Sequence, residues 1–158
     1  IELAPPLVLA DLAHVDAALD TAHAGMLLIG RRDMRSGNSW MHNLPVLAKG
    51  PERCTLLIHP QDAARLGLAQ GSLAQLTAQG TTLIAPVDIS EDMMPGVVSL
   101  PHGWGHDLPG SQLQVAARRP GVNLNALLSD GARDPLSGNA VLSGVPVRVT
   151  AHRESALQ

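Results

Sequence analysis

Residues 69–89, "AQGSLAQLTAQGTTLIAPVDI", decide the fold class. Ala74, Leu76 and Ala78 alternate with Gln75, Thr77 and Gln79, which is the period of two that sends every second side chain to one face of a sheet. Gln70-Gly71 and Gln79-Gly80 are turn pairs, so the segment reads as a hairpin. Outward from it, the same signature recurs in short pieces. "GMLLIG" (25–30) is a buried strand bounded by glycines, and "CTLLIHP" (54–60) is a second strand stopped at Pro60. "QDAARLG" (61–67) is a short helix with Gly67 at its C-terminal end. "MPGVVSLP" (94–101) opens with a Pro-Gly pair suited to a type II turn and continues as a strand. "GVPVRVT" (144–150) closes the series.

Six or so short strands, one or two short helices, 15 glycines and 12 prolines suit an all-β barrel or sandwich better than a wound α/β sheet. Residues 1–24 divide into an extended linker, marked by Pro5-Pro6, and a short helix over 11–23 with Leu12, Val15 and Leu19 near helical spacing. The barrel domain is expected over 25–150, with a tail over 151–158. The chain of 158 residues is enough for one compact domain. Its start, "IELAPPLVLADL", has no basic leader and reads as a cut through a longer chain.

Composition narrows the function. Two Trp, no Phe and no Tyr mean an aliphatic core, and both tryptophans lie in polar, glycine-rich surroundings suited to a surface or a ligand. A net charge of −3 argues against general nucleic-acid binding. No run approaches the ~18 apolar residues of a membrane span. The single cysteine, Cys54, excludes an internal disulfide and a Cys-rich metal site, and fits a reducing, cytoplasmic setting.

Three irregular loops carry the chemistry-bearing side chains. "RRDMRSGNSWMHN" (31–43) holds Arg31, Arg32, Arg35 and His42 beside Ser36, Asn38, Ser39 and Asn43. Charged clusters on loops are commonly just solvated. Arginine, however, forks onto phosphate oxygens, and Ser, Asn and His complete the donor and acceptor set for a heterocycle edge. "HGWGHDLPGSQ" (102–112) places Gly103 and Gly105 where backbone comes close to a ligand and Trp104 where it stacks on a flat ring. His102 and His106 are four apart, but two glycines and Pro109 exclude the helix that would make them a zinc pair. "GVNLNALLSDGARDPLSGN" (121–139) offers Asn123 and Asn125 among residues that are otherwise ordinary turn formers. Nucleotide-binding glycine loops and the hydrolase nucleophile elbow are absent, and no catalytic residue stands out. The chain is equipped to hold something anionic, polar and flat.

In order, "LLIGRRDMRSGNSWMHNLP", "HPQDAARLGLAQGS", "MPGVVSLPHGWG" and "NALLSDGARDPLSG" resemble the C-terminal domain of the molybdopterin oxidoreductases, the superfamily of formate dehydrogenase, nitrate reductase and dimethyl sulfoxide reductase. The likeness covers about residues 25–149, and "HP-x-DAA-x-LG" is its most specific segment. It implies a six-stranded double-psi β-barrel and a ligand, molybdopterin guanine dinucleotide, as a bis form with molybdenum or tungsten. It implies cofactor contacts at Arg31, Arg35, Ser36, Asn38 and Ser39, and at His102, Gly103 and Trp104. Asn125 heads the family's Asn-x-Leu-Thr motif, with Asn123 a second candidate for its role; Leu128 stands where the family has Thr. It further implies that the metal ligand comes from other domains, that these are the barrel's partners, that the parent is formate-dehydrogenase-like, and that this domain alone is inactive. The competing reading is a double-psi barrel adaptor that binds a protein partner without cofactor.

Overall fold

The structure is a computed structural model that describes residues 3–19 and 25–153. Strands β1 (Met26–Arg31), β2 (Leu56–Ile58), β3 (Leu73–Ala78), β4 (Thr81–Ile89), β5 (Val97–Pro101) and β6 (Val145–Ala151) close into a barrel of order β1-β5-β2-β4-β3-β6. β1 pairs in parallel with β5 and β2 with β4; the other four pairings are antiparallel. This is a six-stranded double-psi barrel, and it is mainly β. Two helices flank it: α1 (Pro6–Leu19) and α2 (Pro60–Leu66).

The hairpin at the centre of the sequence forms as its period requires. In β3, Ala74, Leu76 and Ala78 are buried and their neighbours are half-buried. Gln79 and Gly80 both take positive φ, 51° and 79°, the pair of left-handed residues that matches the twist of a tight hairpin. At the Pro-Gly pair, the Val97 N–H donates to the Met94 carbonyl and Gly96 has φ 83°, giving the expected turn before β5. The core is aliphatic: Leu28, Leu56, Ile58, Leu76, Val87, Val98, Leu100 and Leu127 are fully enclosed. Short branched side chains fill a barrel of six strands without aromatic rings.

The "HPQDAARLG" segment has a structural explanation. The His59 ring accepts from the Gln61 N–H, Pro60 takes the first turn, and Gly67 closes α2 in the left-handed conformation. Asp62 is buried and accepts from the Gly96 N–H at 2.6 Å and from Arg65 at 2.6 Å. Burial works against its ionisation, but Arg65 and the Gly96 N–H outweigh it and hold the carboxyl below its usual range. The most recognisable segment of the sequence therefore ties α2 to the turn before β5.

One expectation is corrected. Residues 6–10 are helical rather than part of an extended linker, because α1 begins at Pro6, where proline sits without loss at the start of a helix. Leu12 and Val15 share a helix as expected but remain half exposed. The expected end of that helix beyond residue 19, and the tail from 154, lie outside the described residues. No helix among the described residues is long and apolar enough to cross a membrane.

Candidate functional site

The strand directions place the loops. β1 and β5 are parallel, and β2 and β6 run against them, so the chain leaves β1 and β5 and enters β2 and β6 at the same end of the barrel. The three irregular loops meet there. A Cβ on Gly103 would lie 1.9 Å from the Asn38 carbonyl oxygen, and one on Gly105 would lie 2.7 Å from the Asn123 Cβ. Only glycine permits such contacts, and both glycines also have positive φ.

Within this cluster the side chains divide into those turned inward and those left free. Arg31 is turned inward. Its Nη1 donates to the Ser99 carbonyl at 2.6 Å, and its Nη2 donates to the carbonyls of Thr55 at 2.8 Å and Arg53 at 3.3 Å and to Thr55 Oγ1. The residue clasps β1, β5 and the segment entering β2. Ser36 is buried and its hydroxyl donates to the Asp33 carbonyl. Asn123 accepts the Asn125 N–H and caps the short 3-10 turn Leu124–Leu127. Arg35 donates to the Val46 carbonyl.

Trp104 differs from its expected posture as a ring open for stacking. It is buried and stacks on His42 with centroids 4.0 Å apart, and Arg53 lies 5.7 Å from its ring. The exposed tryptophan is Trp40. His42 is buried in turn, and its Nδ1 shares a hydrogen with His106 Nε2 at 2.7 Å. Burial, then the charges of His106 and Arg53, push His42 down to about 4; burial also lowers His106. This pair of neutral imidazoles joins the first loop to the second. The sequence marks His106 only as a failed zinc partner and leaves His42 among several bases. Nothing in the spacing announces a contact across 64 residues.

A small cleft of about 150 Å³ opens at the barrel end. Gly30, Arg32, His102, Leu124, Asn125, Leu128, Leu142 and Ser143 line it. Of the expected contact residues, His102 and Asn125 are therefore brought together here. Arg32, passed over in favour of Arg31, supplies the guanidinium; it lies just past the end of β1. Arg32 bonds to the Asn38 carboxamide oxygen, which holds Asn38 beside it. Leu128 presents an apolar wall. A second, larger cleft of about 420 Å³ lies between residues 42–53 and 115–119, with His42 and Trp104 in its wall. Asn43 Oδ1 accepts the N–H groups of Val115 and Ala116 and spans the two segments.

Cys54 offers no reactive thiol. It is buried, its Sγ accepts the Val122 N–H, and burial pushes its titration up to about 11. Among the described residues, no cluster of three or more His, Cys, Asp or Glu is placed to hold a metal ion.

Comparison with known proteins places these features in a family. The profile described as "Molydopterin dinucleotide binding domain" matches residues 26–146. The chain is 31% identical over 109 residues to a tetrathionate reductase subunit of Salmonella typhimurium, covering 58% of this chain and 11% of that protein. It is 31% identical over 130 residues to the alpha subunit of the NADPH-Fe(3+) oxidoreductase of Geobacter sulfurreducens, covering 80% of this chain and 13% of that protein. Among solved structures, acetylene hydratase from Pelobacter acetylenicus shares the fold, with TM-score 0.67 and 21% identity over 90% of this chain and 20% of that one. The chain thus spans only a small part of the length of the relatives it matches.

Proposed function

The chain belongs to the molybdopterin dinucleotide-binding domains, and from that premise we propose that it holds the guanine form of the cofactor inside a larger molybdenum or tungsten oxidoreductase. The observation that carries the reading is the convergence of Arg32, His102 and Asn125 on one cleft at the barrel end. The donor set fits the group. A guanidinium suits a pyrophosphate, and carboxamide and imidazole groups suit the edge of a pterin or a purine. A buried polar edge left unpaired would cost about 1–3 kcal/mol, which is what such a loop avoids. A cleft of about 150 Å³ takes a ring-sized fragment, so this chain supplies one wall and the other domains of the parent supply the rest.

The expected contact residues separate into two roles. Asn38, Ser39, His102 and Asn125 face the cofactor, and Arg32, which the sequence does not single out, joins them. Arg31, Arg35, Ser36, Gly103, Trp104 and Asn123 hold the loops that present them. The cofactor itself supplies the metal and the electron transfer; this chain's residues bind and orient it. The barrel alone carries no turnover, because its part is binding. Relatives named for tetrathionate and Fe(3+) support a redox parent in the broad sense. A formate-dehydrogenase-like parent is the narrower proposal, resting on the sequence pattern alone, and a reducing, cytoplasmic setting is proposed from the one free cysteine. The test is a titration of the chain with GDP followed on backbone amides. Shifts should concentrate at residues 30–32, 102, 124–128 and 142–143, and Asn125→Ala should weaken them. No shift there at millimolar nucleotide would favour the cofactor-free adaptor.

A further inference from the structure

Apart from the rings of His42 and Trp104 in its wall, the larger cleft is built from residues that the cofactor reading does not use, and no residue lines both clefts. Lys49, Arg53, Arg118 and Arg119 line it against a single acid, Glu52. Glu52 is already engaged, since its carboxylate accepts the N–H groups of Arg53 and Cys54, each at 3.0 Å. Arg53 is paired with Asp33 at 3.2 Å and donates to the Leu47 carbonyl. Arg119 donates to the Gly50 carbonyl at 2.6 Å. The side chains of Lys49 and Arg118 have neither hydrogen bond nor ion pair among the described residues, so two cations face the cleft unneutralised. In its wall, the buried rings of His42 and Trp104 leave Nε2 and Nε1 without a hydrogen-bond partner. Pro45, Ala48, Pro51 and Val115 give it apolar sides.

Two free cations over apolar walls suit an anion of charge two that carries an organic body. A volume of about 420 Å³ lies within the range of small-molecule sites. We propose that this cleft binds a small organic phosphate, with Lys49 and Arg118 on the phosphoryl oxygens and Pro45, Pro51 and Val115 against its body. The proposal does not rest on the cofactor reading, because it uses other residues.

The test is a titration of the 158-residue chain with phenyl phosphate and, separately, inorganic phosphate, at constant ionic strength so that screening is equal. The chain has two indole N–H signals, and they report different places: Trp104 lies in the cleft wall and Trp40 is 87% exposed. The Trp104 signal should shift saturably while that of Trp40 stays put, and phenyl phosphate should bind several-fold tighter than inorganic phosphate. The double variant Lys49→Ala/Arg118→Ala changes two exposed residues that hold nothing in the fold, and it should weaken binding about tenfold or more. Asn125→Ala, in the other cleft, should leave this binding unchanged. An unsaturable Trp104 response, equal affinity for the two phosphates, or full affinity in the double variant would overturn the proposal.

Discussion

Acidification should weaken this fold through one imidazole, and the effect can be worked out. His42 is 2% exposed, hydrogen-bonded to His106 and stacked on Trp104. Burial is the main cause of its low titration, with His106 and Arg53 adding to it and Asp33 opposing; on the facing loop, Asp107 partly offsets the burial of His106. The folded ring titrates at about 4, against 6.5 for the free side chain. Between those values the unfolded chain binds the extra proton and the folded chain does not, so stability rises with pH across that window. The contribution is complete above the unfolded value and is lost as pH falls from about 6.5 towards about 4. The full linkage amounts to about 3 kcal/mol at the lower end, and solvent in the adjoining cleft screens it to roughly 2 kcal/mol. Carboxylates titrate in the same range, so the assay compares wild type with His42→Gln by urea unfolding at several pH values. The stability difference between the two should shrink by roughly 2 kcal/mol from about pH 7 to about pH 4. A difference that stays constant, or a His42 ring resonance that titrates near its ordinary value, would refute the argument.

Two further outcomes follow from the same end of the barrel. Arg31→Ala removes a charged donor from three carbonyls and should cost about 3 kcal/mol in urea unfolding, with Arg31→Lys recovering only part because an ammonium cannot reproduce the fork; a loss below about 1 kcal/mol would mean that Arg31 does not clasp the strands. Gly103→Ala drives a methyl into the Asn38 carbonyl and strains a residue at φ 92°, so amide shifts should spread through residues 36–39; an unchanged spectrum there would show that the two loops do not touch.

The legible parts of the sequence are those governed by near neighbours. The 69–89 hairpin, the Pro-Gly turn before β5 and the capped helix at 60–66 each follow from contacts a few residues apart, and each forms where the pattern puts it. α1 begins earlier than the sequence suggests, since Pro5-Pro6 looks like a break and yet its second proline opens the helix. At the candidate site, the sequence singles out three loops that meet at one end of the barrel but does not sort their side chains. Arg31 and Arg32 are equivalent on paper; one clasps backbone carbonyls and the other faces a cleft. Both tryptophans suit a surface or a ligand on paper, yet Trp104 is packed on His42 and only Trp40 is open, 87% exposed.

Alternation, turn chemistry and composition are local properties, and they suffice to establish a β-rich chain with an aliphatic core and three donor-bearing loops. Which donors are spent and which stay free is a property of the closed barrel. Closure brings residue 42 against 106 and residue 31 against 55 and 99, and a guanidinium or an imidazole bonds to whatever acceptor lies within about 3 Å, however distant in the chain.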